Sequence, residues 1–485
     1  MSDWKTIVGL EVHAELLTAS KMFSACPVVD SVEAPPNTAV DPLSLGMPGT
    51  LPVVNAQAVE YGMMVGLALN CEIPPFNQFA RKSYFYPDLP KGYQISQYEY
   101  PLAVNGYVDI ELSSGAAKRI RVRRAHLEED TGKLTHMGDG SSLVDYNRAG
   151  VPLLEIVSEP DIFSAEEAEV YARKLRALLQ YLGVNHGDMS KGVLRFEANV
   201  SVMHKDDHEF RMRREIKNLN SIRSMVRAIE KEVAWQIKTY QGGGTVKPAT
   251  LGWDEDRQEI IVQRYKERPD EYRYFPDPDL PAVIVSREWV DDVRAKMPEL
   301  PDAKRARYMA DFGLSAYDAS LLVTEPEVGH YYEAVLAGGT DAKAAANWII
   351  NNVFTRLNEA ELPREAIASL KVTPDLLAEL IQLTQRGVIN SSTAVKVLES
   401  MWDSGERASA VIEREGLAQI NDPDAIAAIV DQVLADSERM VSDYLGGKEK
   451  LFGALIGKAM GAARGKANPQ LLKDTLQAKL DARRS

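Results

Sequence analysis

HLEEDTGKLTHMGDGSSLVDYNRAGVPLLEIVSEP, residues 126–160, carries seven carboxylates: Glu128, Glu129, Asp130, Asp139, Asp145, Glu155 and Glu159. Near its end, Leu153-Leu154-Glu155-Ile156-Val157 is an apolar, strand-like run with a carboxylate at its centre. An ionised carboxylate in such surroundings is costly unless a cation or dense hydrogen bonding meets it. Two readings stand at this point. Glu155 either points outward from a polar-faced strand, or it meets a hard ion such as Mg²⁺, which takes a few carboxylate oxygens and keeps some waters.

Upstream, Ile7 to Leu16 (IVGLEVHAEL) alternates strictly. Leu10, Val12, Ala14 and Leu16 face one way, and Glu11, His13 and Glu15 the other. Period two predicts a half-buried strand with Glu11 and His13 as same-face neighbours ~7 Å apart. Downstream, Ser164 and Glu167 form a capping box that opens a helix ending at Gly183. A second helix begins at Asn220/Ser221, with Ile222, Met225, Ile229, Val233 and Ile237 on one stripe and Gly242-Gly243-Gly244 as its stop.

After Pro281 strand signals become sparse and helical spacing dominates to the end. Thr373-Pro374-Asp375 predicts a helix start, with threonine as N-cap and proline at the first helical position. Gly405 to Gly416 reads as a second joint. The expected domains are therefore 1–292, 293–410 and 411–485.

The chain has 485 residues, 45% hydrophobic and 26% charged, which is too long for a single core and ordinary for a globular protein. Apolar runs such as Met63 to Leu69 are too short to span a bilayer. Met1-Ser2-Asp3-Trp4 has no signal-peptide character, so a cytoplasmic location is expected. Cys26 and Cys71 are the only cysteines, which excludes a disulfide framework or a four-cysteine zinc site. Net charge is −14, yet residues 446–485 hold nine Lys/Arg against three acids, a +6 tail on a −20 body. That asymmetry fits RNA as a partner of the tail.

No GxxxxGK[ST] occurs, so any nucleotide chemistry uses a different kind of site. Arg81 to Gln94 (RKSYFYPDLPKGYQ) interleaves cations and aromatics, suiting either a nucleotide base or RNA end, or simply a Tyr/Pro-packed loop. Tyr272 to Asp279 repeats this flavour. Arg214 to Ser221 sets two cations before a helix N-terminus, either an anion site or a plain capped start. Arg81, Tyr84, Arg214 and Lys217 are accordingly the candidates for binding a nucleotide.

VGLEVHAEL (8–16), SKMF (20–23), PGTLPVVN (48–55), ARKSYFYPDLPKGYQISQY (80–98), HLEED (126–130), SLVDYNRAGVPLLEIVSEPDI (142–162), EIKNLNS (215–221), DEYRYFPDPDLP (270–281) and GKANPQLL (465–472) recur in one order. This series resembles the GatB family, the B subunits of aspartyl/glutamyl-tRNA(Asn/Gln) amidotransferases, from end to end. The resemblance implies an α+β protein: a mixed α/β catalytic body with a largely antiparallel sheet, an all-α middle domain and a small all-α tail domain. It implies a heterotrimer with an amidase, the A subunit, which releases ammonia from glutamine, and with the small C subunit. The B subunit then uses ATP and Mg²⁺ to phosphorylate the side-chain carboxylate of Glu or Asp mischarged on tRNA, and ammonia displaces the phosphate.

Carried onto this chain, the family's metal site falls on Glu11, His13, Glu129 and Glu155, with Glu129 rather than Glu128 as the matching acid. Glu129 and Glu155, with Lys82 and Lys91, are the expected catalytic residues, the lysines lining the site or the ammonia path. The tail resembles the family's tRNA-contacting module, which makes Lys448, Lys458, Arg464 and Lys466 candidate tRNA contacts. The chain departs from the family pattern at Pro248-Ala249-Thr250-Leu251 and at Phe196-Glu197. The alternative from another class is a non-catalytic scaffold that only binds tRNA.

Overall fold

The computed structural model describes residues 3–265, 272–463 and 465–483. It divides into two compact units, Met1–Pro301 and Asp302–Ser485. In the first, the alternating segment near the N-terminus forms the strand Trp4–Glu15. Its Val8, Leu10, Val12 and Ala14 are fully buried, each burial contributing up to roughly 1.5–3 kcal/mol for the larger side chains.

This strand lies in the middle of an eleven-stranded sheet. Glu259–Tyr265, Ala249–Asp254, Arg214–Leu219 and Leu194–His204 precede it in spatial order. Pro152–Ser158, Ala117–Glu129, Tyr93–Gln97, Phe79–Ser83 and Phe275–Pro276 follow, with Ala103–Glu111 also paired to Ala117–Glu129. The pairing is antiparallel except between 214–219 and 249–254. The expected largely antiparallel sheet is present.

The helices Ala56–Ala68, Ala165–Tyr181 and Ile222–Gln241 contribute Val59, Met63, Leu175, Leu179, Met225 and Ile229 to the core. The same core takes Val8, Leu10, Val12 and Ala14 of 4–15, Leu154 and Ile156 of 152–158, and Leu194, Phe196, Ala198 and Val200 of 194–204. Ser164 caps its helix as its sequence predicts, accepting from the Glu167 amide, while Glu167 reaches back to the Phe163 amide. Ser221 caps the Ile222–Gln241 helix in the same way, accepting from Ser224.

Among the described residues the regular elements of the second unit are all helices, with one isolated bridge between Ile420 and Ala467. One core gathers Tyr308, Tyr332, Leu357, Leu377, Ile381, Leu398 and Val411, and a second gathers Ile426, Val430, Leu434, Leu455, Leu472 and Leu476. Thr373 is the N-cap of Pro374–Gln385, but its hydroxyl bonds Asp375 rather than a backbone amide. Gly405 ends Ser391–Ser404 in the left-handed region, φ 72°. The expected joint at 405–416 holds a short helix, Ala408–Arg414, whose Ala408, Val411 and Ile412 belong to the first of these two cores. Among the described residues no helix is long and apolar enough to cross a membrane.

Candidate active site

Because side chains alternate along a strand, the residues between the core-facing ones share the opposite face. On that face Glu11 and His13 of strand 4–15 meet Glu155 of 152–158, His126 and Glu128 of 117–129, and Arg195, Glu197 and Asn199 of 194–204. His13 and His126 lie in register with Glu155 from either side, and Glu11 with Glu197. Glu215 and Lys217 extend the row on 214–219. A cavity of about 530 Å³ opens over this floor. Its walls include Lys82, Arg123, Arg124, Phe210, Arg213, Tyr272 and Tyr274.

The floor holds two acid groups of different character. Glu11, Glu197 and Glu215 offer oxygens within 4.8 Å of one another. Lys217 lies among them, 2.9 Å from Glu197 and 3.3 Å from Glu215, and Asn199 donates to Glu11 at 2.9 Å. Burial opposes the Lys217 charge, but the two carboxylates outweigh it and raise its pKa. This group supplies its own cation.

His13, Glu128 and Glu155 also offer donor atoms within 4.8 Å of one another. His13 Nε2 stands 3.4 Å from Glu155 and 3.9 Å from Glu128. Among the described residues no lysine or arginine forms an ion pair with either acid; both imidazoles approach them, and Ser96 Oγ donates to Glu128 at 3.1 Å. Burial works against the Glu155 carboxylate, yet His126, His13 and Lys82 hold its pKa well below the usual range. Burial likewise works against the His13 imidazolium, but the Glu155 hydrogen bond and charge, with Glu197 and Glu128, carry its pKa up to about 9. Glu11 is pushed up by burial and by Glu155 and Glu197. Dense anionic oxygen around an imidazole is a donor set that fits a divalent cation.

The structure brings Glu11, His13, Glu155, Lys82 and Lys217 to this cavity, as their sequence positions suggest. Glu129, the fourth residue expected with them, does not reach it. Glu129 shares the inward face of Ala125 and Leu127, where Lys91 Nζ meets both its oxygens at 2.7 Å and the Ile95 amide donates at 2.9 Å. Consecutive residues of a strand point to opposite faces, so Glu128 joins His13 and Glu155 instead. Lys91 goes with Glu129, away from the cavity lining.

The same rule removes two of the nucleotide candidates. Arg214 faces the core side and pairs with buried Glu232 at 3.2 Å, unlike Lys217 on the same strand. Arg81, unlike Lys82, turns to Asp277 at 2.8 Å and Asp279 at 2.7 Å. Tyr84 packs on Tyr86, with ring centroids 5.8 Å apart, and lines no part of the cavity.

In the tail, Lys448 pairs with Asp443 at 3.0 Å and Lys458 Nζ donates to Ser437 at 3.1 Å. Lys466 donates to the Gly416 carbonyl, and Arg464 lies outside the described residues. Sequence reasoning left Glu197, Glu215, Arg124 and Arg213 out of the site and, within the 126–130 cluster, chose Glu129 over Glu128. For His126 and Glu128 the signal was present: both flank Leu127, an obvious core residue, and so share a face opposite to it.

An acid-and-imidazole floor under cationic and aromatic walls has the chemistry of a body that handles a phosphate-bearing ligand beside a divalent ion. Residues 6–291 match the GatB/GatE catalytic domain, and residues 330–480 match the GatB domain. Relatives named as the B subunit of aspartyl/glutamyl-tRNA(Asn/Gln) amidotransferase align with nearly the whole chain. That of Moorella thermoacetica is 48% identical over 482 residues, covering 99% of this chain and all of the relative. Those of Caldicellulosiruptor saccharolyticus and Geobacter sulfurreducens are 46% and 47% identical, each covering 99% of both chains. The chain belongs to the GatB family, the B subunits of these amidotransferases.

Proposed function

We propose that this chain performs the ATP-dependent half of tRNA-dependent amidation, converting Glu-tRNA(Gln), Asp-tRNA(Asn) or both. The γ-phosphoryl group of ATP passes to a side-chain carboxylate oxygen of the aminoacyl ester, releasing ADP. Ammonia then attacks the acyl carbon and inorganic phosphate leaves, giving the amide. A carboxylate is a poor acyl donor, and phosphorylation turns its oxygen into a leaving group. His13, Glu128 and Glu155, with Glu11 beside them, are the residues that would hold Mg²⁺ or a similar ion. Bound there, the ion supplies charge neutralisation for the transferred phosphoryl group.

The chain's own side chains supply the rest. Lys82 Nζ lies 4.7 Å from the centre of the Tyr272 ring. Burial opposes its charge, but Glu128, Tyr274 and Glu155 keep its pKa raised, so it remains a cation that can draw an incoming carboxylate or phosphate toward the floor. Arg124 and Arg213 on the walls offer further phosphate donors, and Phe210, exposed at the cavity, offers a face for a base. Ammonia comes from the amidase, the A subunit, and the small C subunit completes a heterotrimer in the cytoplasm. The basic tail holds the tRNA body while the ester reaches the cavity, dividing the chain functionally into 1–292, 293–410 and 411–485.

The observation that carries this reading is the Glu128–Glu155 pair on the cavity floor, which two imidazoles approach and with which no lysine or arginine among the described residues forms an ion pair. Mg²⁺-dependent ATP cleavage by the assembled enzyme, stimulated by mischarged tRNA and lost in Glu155→Gln, tests it. Full amidation by that variant would leave the scaffold reading in its place. Removing residues 418–485, beyond the Ala408–Arg414 helix, should raise KM for tRNA by about 10-fold or more with kcat little changed. The salt dependence of tRNA affinity should flatten in the same variant, by about one unit of slope per lost phosphate contact. Unchanged affinity and slope would leave the tail as a structural cap.

A further inference from the structure

Strand 117–129 carries four arginines, and one of them is unlike the rest. Arg119, Arg121 and Arg123 each pair with a carboxylate: Asp109 at 2.7 Å, Asp161 at 2.7 Å and Glu159 at 2.9 Å. Arg124 has no such partner among the described residues, and its Nε is buried without a hydrogen bond. The pairing with strand 152–158 shifts register between Val122 and Arg124. An irregularity of this kind re-aims a side chain, and here Arg124 reaches the cavity wall. A buried donor left unmet is costly, and the partners that suit a guanidinium are carboxylate and phosphate.

The Arg124 guanidinium lies 5.9 Å from the centre of the Tyr98 ring. Tyr98, just past strand 93–97, stacks on Tyr274, just before strand 275–276, with centroids 4.1 Å apart and planes 9° from parallel. These two rings, with Tyr100 and Phe275, line a recess of about 110 Å³, and Tyr274 lines the cavity as well. That is the room of about four waters, enough for a flat ring system and too little for a whole nucleotide. Tyr98, Tyr100 and Phe275 are 45%, 46% and 46% exposed, so a chain attached to the occupant has a way out to solvent.

We propose that this recess takes the 3′-terminal adenine of the tRNA, with Arg124 on the phosphate that joins this nucleotide to the one before it. The inference rests on the reading that the aminoacyl ester is amidated in this cavity, and adds where the nucleotide bearing the ester is held. The adenine of ATP is the other ring of suitable size, and the sheet order favours the RNA end. Phe210 follows strand 194–204, which lies four strand spacings from 93–97, roughly 19 Å at ~4.8 Å each. A triphosphate calls for several cations, and Arg213 and Lys217 stand at the Phe210 end. The Tyr98 end offers Arg124, a match for the single charge of a phosphodiester. Aromatic stacking combined with a cation on the backbone is how proteins hold an unpaired RNA end. With one nucleotide at each end, both reacting groups are directed to the floor between them.

The test uses the assembled enzyme with mischarged tRNA. Tyr98→Ala should raise KM for that tRNA by about 10–100-fold, the scale of one lost base stack, and KM for ATP by less than about 3-fold. Tyr98→Phe, which keeps the ring, should restore the wild-type KM. Arg124→Met should flatten the salt dependence of tRNA affinity by about one unit of slope. A rise in KM for ATP alone would put the adenine of ATP in the recess, and an equal rise in both would make Tyr98 structural; either result overturns the proposal. So does an unchanged KM for tRNA in an enzyme that still amidates, a failure that leaves the functional reading standing. Photolabelling of the wild-type enzyme by tRNA ending in 8-azidoadenosine decides the matter even if the variants do not fold. Label at Tyr98–Tyr100 or Tyr274–Phe275, suppressed by mischarged tRNA and not by ATP, is expected, and label elsewhere overturns the inference. A wild-type enzyme that binds mischarged tRNA yet neither cleaves ATP nor forms amide would overturn the functional reading, and this inference with it.

Discussion

The two faces of the central sheet are made by alternate residues of the same strands, yet they treat charge in opposite ways. On the helix-covered face each buried acid has its own cation: Glu129 has Lys91, and Glu232 has Arg214. On the cavity face Glu11, Glu128, Glu155, Glu197 and Glu215 gather over a floor on which Lys217 is the lysine paired among them. The first face is electrostatically closed, whereas on the second Glu128 and Glu155 form no lysine or arginine ion pair among the described residues. Ion pairs that satisfy themselves are architecture, whereas an acid cluster under a cavity asks for a ligand.

The sharpest way to break this comparison is to neutralise the adjacent acids separately. Glu128→Gln and Glu155→Gln should lower amide formation by at least ~10²-fold, with thermal stability little changed. Glu129→Gln should instead destabilise the first unit by about 3–5 kcal/mol, since it strands a buried ammonium. The double variant Lys91→Met/Glu129→Gln should recover much of that loss. Denaturant titration and amidation assays on the same samples distinguish the faces. Lost activity at full stability in Glu129→Gln would return Glu129 to the site.

A second contrast lies on a single strand, with a smaller effect. Lys217→Met should raise KM for ATP by about 10-fold, the scale of one charge-assisted contact. Arg214→Met should leave that KM unchanged in the folded fraction while costing stability, because its partner Glu232 is left buried alone. The reverse pattern would mean that the nucleotide lies on the core side of strand 214–219.

The smallest effect is a pH dependence. In metal-free protein the His13 pKa is raised from its ordinary value to about 9 by Glu155, Glu197 and Glu128 against the opposing pull of burial. A raised histidine pKa contributes stability that is fully present below the unfolded value near 6.5 and is lost as pH rises through the folded one. Melting temperature in the presence of a chelator should therefore fall between about pH 6.5 and 9 by more in wild type than in His13→Asn. Equal slopes would show that His13 does not carry the proton.

Much of this was legible before any coordinates. Alternation in residues 7–16 placed Glu11 and His13 on one face, and the Ser164 and Ser221 caps set two helix starts. The change of texture near Pro281 anticipated the all-helical second unit. These features are local: backbone periodicity and capping chemistry are written within a few residues of one another. Adjacent side chains with similar chemistry were harder to separate, and Glu128 with Glu129, Lys82 with Arg81 and Lys217 with Arg214 show it.

By itself, then, the sequence determined the family, the α+β class, and two of the strands on which an acid-and-imidazole site would be built. Which member of each neighbouring pair enters that site was decided only by the tertiary structure. A strand's two faces become inside and outside once helices cover one of them, and Leu127 goes to the covered side with Glu129 beside it. The convergence of His13, Glu155 and His126 depends on antiparallel register among three strands, the first more than a hundred residues from the other two in the chain. Register is fixed by how the whole sheet packs, because a slip of one residue would drive every buried apolar side chain of a strand into water.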